Sequence, residues 1–473
     1  MSWPKNLRCV LPTLFLSLSA VAASEATPLP ATVVADRGKP ATVLLVTRTL
    51  LSGSCPRADL DSDKLRTHMQ ALVADGTLHP EYLTEAELGI VLVAEVLKNP
   101  AAYLTRGDRT RTFKTELTYT GSGFIVTPDG YIVTNAHVVQ PDDDDVSQSL
   151  ARNLVDWIKE DVDEVDQGIG KLAPGQSMTD AAKSRFSEAL AKFYVQHMAR
   201  DTNETKVYAV IGYAKPGENI DVVGKLADLK KVGRPAPGKD VAVLKIPGKN
   251  YPTLPLLDSA DSDRIRTGEE LHVVGFPSVA TFNETLAVSS QLEPSMTNGR
   301  VSALKAMADG WRIIQTDAPL APGNSGGPVL NDFGKVVGVA TFASVDPTSG
   351  QQVQGFNFVV PAEVVREFLR EANVTPAESP FTANYNQALD EFQLRYYSRA
   401  LESFRAAGEQ TPGLPYVQEY IARCREEIGA GRDESWKRNA WILKIAGGAI
   451  LLMLVLFTIR MVRPRRVTVQ PQP

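Results

Sequence analysis

A chain of 473 residues exceeds what one ordinary core organises, so two or three folded units are expected. Its 43% hydrophobic and 22% charged residues describe a globular protein and exclude a fibrous or fully disordered one. A formal charge of −5 gives no sign of a nucleic-acid partner, and three cysteines are too few for a disulfide-built scaffold.

The N-terminus carries Lys5 and Arg8, then the apolar run Val10 to Val21, then small residues up to Ala23. A basic start, a short apolar middle and a small-residue end make residues 1–23 a secretory signal, either removed after Ala23 or retained as an anchor. Residues 24–112 read as an N-terminal extension. It holds a β-branched strand from Ala41 to Leu51 and helices over Leu60–Ala74 and Glu85–Leu97, bounded by Gly76, Pro80 and Pro100. Cys9 falls in the leader. Cys55 and Cys424 fall in different units, where they either pair in an oxidising compartment or stay as two thiols.

From Phe113 the pattern changes to short strands and tight turns. Gly121–Val126 and Tyr131–Thr134 flank Pro128-Asp129-Gly130, a hairpin signature. Between residues 142 and 166 ten acidic residues face two basic ones, a formal −8. Helical stretches over Ser147–Asp166 and Thr179–Ala199 make 141–204 a helical insertion on a loop, either a solvated decoration or a lid or docking element. Strand-like runs resume at Thr205 and continue to about Val360, including Val241–Ile246, Glu270–Val274 and Val336–Phe342. Many short strands with frequent Gly and Pro indicate a sandwich or barrel, so 113–372 is a mainly β domain closed by a helix over Glu363–Ala372.

Residues 373–435 are helical. After a polar approach over 429–437 comes the apolar stretch Ala440 to Ile459. Lys444 can snorkel and Trp436 and Trp441 suit an interface, so 438–462 reads as a single transmembrane helix. Arg460, Arg463, Arg465 and Arg466 favour a cytoplasmic tail over 463–473, although Lys437 and Arg438 on the other side weaken that bias. With the signal, this orientation puts the body of the protein outside the cytoplasm.

The chemistry concentrates in Gly323-Asn324-Ser325-Gly326-Gly327-Pro328. A nucleophilic serine needs an exposed turn with backbone N–H groups aimed at the oxyanion, and small neighbours let the chain curl that way. The hydroxyl also needs a base. Of five histidines only His137 ends a strand leaving a tight hairpin, though apolar neighbours on both sides also suit a core histidine. The base needs a carboxylate to hold its tautomer, and Asp240 stands directly before the strand Val241–Ile246. Asp221, Asp228, Asp258 and Asp261 lack that setting and read as solvated.

The segments GSGFIVTPDGYIVTNAHVV, DVAVLKI and IQTDAPLAPGNSGGPV followed by GKVVGVAT together resemble the HtrA/Deg group of trypsin-like serine proteases, over about residues 120–362. The resemblance implies a chymotrypsin-like pair of six-stranded β-barrels with the catalytic triad His137, Asp240 and Ser325 in the cleft between them. It implies acyl transfer with no metal or cofactor, the loop Gly323-Asn324-Ser325 forming the oxyanion hole through its amides. Pro319 matches the floor of the substrate pocket and is not acidic, which disfavours Lys or Arg at the cleavage site. Val339, Ala340 and Thr341 would form the wall. Asn324 stands where zymogen-type relatives carry an aspartate, so activity is expected to be set by loop rearrangement around the oxyanion hole.

The sequence departs from that group after residue 372, where 63 positions are short for a PDZ domain and read as helical. Tyr397, Ala400, Phe404, Ala407 and Pro412 instead resemble a tetratricopeptide repeat, with Ala388 and Phe392 on its first helix and Tyr416–Ile428 as a cap. A single repeat needs a neighbour to pack on. The implied function is a membrane-anchored protease of quality control or processing, acting on unfolded or membrane-proximal proteins. The helical module and the acidic insertion are candidate partner sites, and a homo-oligomer stays open. The rival reading is a binding scaffold on a vestigial protease fold.

Overall fold

The structure, a computed structural model, describes residues 27–462 except 141–142, 202–203, 213–222, 284, 287–289, 291 and 346–351. The leader over 1–23, the tail over 463–473 and Asp221 therefore lie outside the described residues.

Helix α1 (Ala31–Gly38) leads into strand β1 (Thr42–Leu60), which pairs antiparallel with β2 (Leu104–Ile125) from Thr42↔Phe124 to Leu60↔Leu104. With β3 (Tyr131–Thr134), β4 (Ala199–Arg200), β5 (Glu204–Ile211), β6 (Lys225–Val232) and β7 (Ala242–Lys245) they form a sheet of order β2-β3-β7-β6-β5-β1-β4. Because β1 also pairs with β2, six of these strands close into a ring. Val43, Leu45, Ile125, Ile132, Ala242 and Leu244 fill one apolar cluster of this unit. Residues 24–112 are thus not a separate extension: they supply a wall strand of the barrel, and β2 begins at Leu104 rather than Phe113.

Beyond Thr47, β1 alternates buried and half-exposed positions, the period of a strand covered on one face. There β1 and β2 run on as a two-stranded ribbon. Helices α2 (Ser62–Ala74) and α3 (Glu85–Lys98) join its ends, and the short helix α4 (Ala136–Val139) follows β3. The insertion forms α5 (Asp143–Leu172) and α6 (Asp180–His197), which lie on the ribbon through Leu51, Cys55, Phe113, Trp157, Phe186 and Tyr194. The acidic helix is a docked layer rather than a solvated one. Asp161 is buried and accepts from Arg57 Nε at 3.1 Å, from Arg111 Nη2 at 2.5 Å and from the Tyr194 hydroxyl. A cavity of about 710 Å³ opens between ribbon and helices.

Strands β8 (Glu270–Gly275), β9 (Ser295–Ala306), β10 (Arg312–Thr316), β11 (Pro328–Leu330), β12 (Val336–Val345) and β13 (Gln352–Pro361) form a closed barrel of order β10-β13-β12-β11-β8-β9. Leu271, Val273, Ile314, Val329, Ala340 and Val359 share one buried cluster within it. A second cluster joins the two barrels through Phe124, Val133 and Val243 on one side and Val274, Leu330 and Val339 on the other.

Helix Ala362–Glu371 closes this unit, and helices Pro380–Gln393, Tyr397–Gln410 and Pro415–Gly429 follow. These three bury a core of their own around Tyr385, Phe404 and Tyr420. They also dock on the barrels: Thr382 Oγ1 accepts from Thr253 N at 2.8 Å, and Ser379 N donates to Thr253 Oγ1 at 2.9 Å. Cys55 and Cys424 are free thiols buried in separate clusters. Residues Ala440–Val462 form one helix, and among the described residues no helix is long and apolar enough to cross a membrane.

Candidate active site

Pairing of Thr134 with Ala242 brings the end of β3 beside the start of β7, so the residues just outside both strands emerge together. His137 sits on α4 rather than at a strand end, and Asp240 precedes β7. His137 Nδ1 lies 2.7 Å from Asp240 Oδ2, and the His137 N–H donates to Asp240 Oδ1 at 3.1 Å. Asn135 Nδ2 holds the Asp240 carbonyl at 2.7 Å. The carboxylate is 2% exposed and the imidazole 37%, so one end of the pair is fixed in the protein and the other faces the cleft. Burial pushes the Asp240 carboxyl up, but the hydrogen bonds from His137 and Thr341 with the His137 charge outweigh it, leaving the group below its ordinary value. The competitors Asp228 and Asp258 are exposed and Asp261 is half-buried, and all three pair with surface lysine or arginine.

Ser325 comes from the other barrel, on the loop between β10 and β11. Two glycines shape that loop. Gly323 has φ +97°, and a Cβ there would stand 2.3 Å from the Phe276 carbonyl; Gly326 has φ +86°, and a Cβ would stand 2.1 Å from the Ser122 carbonyl. The Gly326 N–H donates to Ala340 O at 2.8 Å and the Ala340 N–H to Gly327 O at 3.0 Å, tying the loop to β12. The next residue on β12, Thr341, touches both halves of the site. Its hydroxyl donates to Asp240 Oδ2 at 2.6 Å, and its carbonyl accepts from Ser325 Oγ at 2.9 Å. Among the described residues the Ser325 hydroxyl is bonded to the Thr341 carbonyl and not to His137.

The oxyanion loop has two unengaged amides. Neither the Gly323 nor the Ser325 N–H donates to a partner among the described residues, whereas the Asn324 N–H donates to Ala321 O at 3.0 Å. The Asn324 backbone N–H is therefore not a free donor, because it closes a turn. The Pro322 carbonyl is anchored by the Ser278 N–H at 2.8 Å. A planar trans peptide then directs the Gly323 N–H to the opposite side.

The pocket residues divide. Pro319 is exposed and its carbonyl accepts from Thr297 Oγ1 at 2.8 Å. Val339 and Ala340 are fully buried, one between the barrels and one inside the C-terminal barrel, so neither side chain lines an open wall as expected. The reason is that β12 is covered on both faces. Thr341 is spent on Asp240. Asn357, absent from the sequence reading, is buried and donates from Nδ2 to Ala318 O at 2.7 Å beside the Pro319 turn.

Glu270, His272 and Asp332 bring three ligand-type atoms within 4.8 Å of one another. The buried His272 already places its two ring nitrogens at 2.9 Å from Asn298 Oδ1 and 2.8 Å from Asp332 Oδ1, so both are engaged within the protein.

Residues 121–231 and 196–339 match the family model described as the trypsin-like peptidase domain. The chain is similar to trypsin-like peptidases over residues 121–339. The peptidase domain is similar to the serine protease Do-like HtrB of Bacillus subtilis, 28% identical over 41% of this chain and 40% of the relative. It is also similar to the "Probable periplasmic serine endoprotease DegP-like" of Chlamydia pneumoniae, 27% identical over 54% of this chain and 35% of the relative. Among solved structures, the HtrA-type protease AlgW with tripeptide aligns at TM-score 0.35 and 17% identity, covering 72% of this chain and 63% of that one. The chain spans about a quarter to two fifths of the length of the curated relatives it matches.

Proposed function

We propose that the protein is an extracytoplasmic serine endopeptidase using His137, Asp240 and Ser325, with the Gly323 and Ser325 amides as the oxyanion hole. Ser325 Oγ attacks the carbonyl carbon of a peptide bond while its proton passes to His137 Nε2, and Asp240 holds the Nδ1 proton and orients the ring. The two amides take the negative charge that forms on the carbonyl oxygen. Collapse expels the amine, which collects the proton from His137, and water then hydrolyses the acyl-enzyme by the same route. The observation that carries this reading is Thr341, which joins the Asp240 carboxylate and the Ser325 hydroxyl across the barrel junction.

The exposed Pro319, a residue with no charge of its own, supports apolar rather than basic side chains at the cleavage site. Homology to periplasmic relatives and the leader over residues 1–23 support action outside the cytoplasm, on unfolded or membrane-proximal proteins. On its sequence alone, the apolar run from Ala440 to Ile459 with Arg460, Arg463, Arg465 and Arg466 after it is proposed as a single membrane anchor, and the three-helix module as a tetratricopeptide-like site for a protein partner.

The test is fluorophosphonate labelling of the full-length protein beside Ser325→Ala. Labelling that requires Ser325 is expected. Absence of labelling in both proteins would refute the catalytic reading and leave the scaffold reading.

A further inference from the structure

We propose that Ser122, a hydroxyl on β2 of the N-terminal barrel, is the positioning residue that sets the oxyanion loop of the C-terminal barrel. The proposal rests on the catalytic reading above and adds a residue that the triad and its hole do not contain. Ser122 has no exposed surface, and every polar atom it owns is engaged on the catalytic elements. Its N–H donates to the Ser325 carbonyl at 2.7 Å. Its hydroxyl donates to the Gly323 carbonyl at 2.7 Å and accepts from the Phe276 N–H at 2.8 Å. Its carbonyl accepts from Thr134 Oγ1 at 2.7 Å, three residues before His137.

The geometry gives these bonds a direction. The Gly323 carbonyl belongs to the peptide between Gly323 and Asn324, and the Gly323 amide belongs to the peptide before it. Fixing the first carbonyl on Ser122 and the Pro322 carbonyl on Ser278 immobilises both planes around Gly323. Gly323, at φ +97°, has the backbone freedom of glycine, so without those two clamps its amide has no fixed aim. The Phe276 bond ties the same hydroxyl to the segment that carries Ser278. Ser122 thereby holds the nucleophile's carbonyl, the peptide that follows the Gly323 amide and, through Phe276, the segment whose Ser278 clamps that amide's own peptide in one frame, on the barrel that supplies His137 and Asp240.

A buried serine also satisfies polar groups wherever it sits, so the test separates positioning from plain structure. Full-length protein, Ser122→Ala and Ser122→Cys are compared with a chromogenic peptide, with a peptidyl boronate and with the cleaved product peptide. The boronate forms a tetrahedral adduct on Ser325 with an oxygen in the hole, and the product peptide binds without one. Loss of a single oxyanion donor costs roughly 10²- to 10³-fold, and losing a donor's support is expected to lower kcat about 10- to 100-fold. Boronate affinity should fall in parallel, with KM and product affinity held within about 2-fold, and Ser122→Cys, keeping a weak S–H donor, should fall between.

Wild-type kcat and boronate affinity in Ser122→Ala would overturn the proposal. So would equal losses in kcat, product affinity and melting temperature, which would mark a structural role. If Ser122→Ala does not fold, Ser122→Cys carries the comparison, and wild-type kcat in it is the refuting result. A wild-type protein that neither hydrolyses nor labels overturns the catalytic reading itself, and this inference with it.

Discussion

Thr341→Val removes one hydroxyl and keeps the shape of the side chain. In the structure that hydroxyl is one of three donors to the Asp240 carboxylate, at 2.6 Å, beside His137 Nδ1 at 2.7 Å and His137 N at 3.1 Å. The carboxylate is 2% exposed, so water cannot replace the lost donor. A hydrogen bond to a charged group contributes about 1.5–3 kcal/mol, and the middle of that range corresponds to about 45-fold in rate if all of it is felt when His137 becomes charged. The same loss raises the Asp240 carboxyl, because a donor that favours its charged form is gone. Asp240 now stands below its ordinary value, so its charged form adds stability above the usual carboxylate range, and that stability disappears as pH falls through the folded-state value. Raising the folded-state value moves acid loss to higher pH. The assay is kcat/KM on a peptide substrate, with thermal melting followed from neutral to acid. Wild-type kcat/KM together with an unmoved acid limb would refute the reasoning.

Gly323→Ala places a methyl 2.3 Å from the Phe276 carbonyl at a φ of +97°, and hydrolysis should fall at least about 100-fold while circular dichroism stays that of the parent. Native protein at pH 8 should give no reaction of Cys55 or Cys424 with a thiol reagent, because both are buried and burial pushes the Cys424 thiol up to about 11; both should react on unfolding. Fast native labelling of Cys424 would contradict the packing of the three C-terminal helices.

The peptidase segment was legible because each of the residues proposed as catalytic sits inside a pattern with a local cause. Ser325 lies among glycines the turn demands, His137 follows a hairpin, and Asp240 precedes an apolar strand. Thr341 was read as pocket wall, since nothing local tells which hydroxyl will meet a carboxylate 101 residues away. Val339 and Ala340 were misread for a related reason: an alternating strand does not reveal that its second face is covered by another barrel. The ribbon was only half visible. The part of β2 between Leu104 and Thr112 is rich in Arg and Thr and shows no strand pattern of its own, but its pairing partner β1 and the helices over it supply the burial that its composition lacks. The helices themselves were found to within a few residues, helped by end signals such as Thr84 with Glu87 at the start of α3.

The docking of the C-terminal helices has a consequence for reach. The stretch leading to Ala440 is not a loose string: Glu434 N is held by the Arg395 carbonyl at 2.8 Å, and Asp433 clasps Ser398 and Ser435 at 2.5 and 2.6 Å. On the proposed anchoring, the cleft would then stand at a set height above the bilayer, like a blade on a fixed post. A polypeptide would be cut where it passes that height, so selection by distance from the membrane would precede selection by side chain. Lengthening the post would change which bonds are met before altering how fast any one of them is broken.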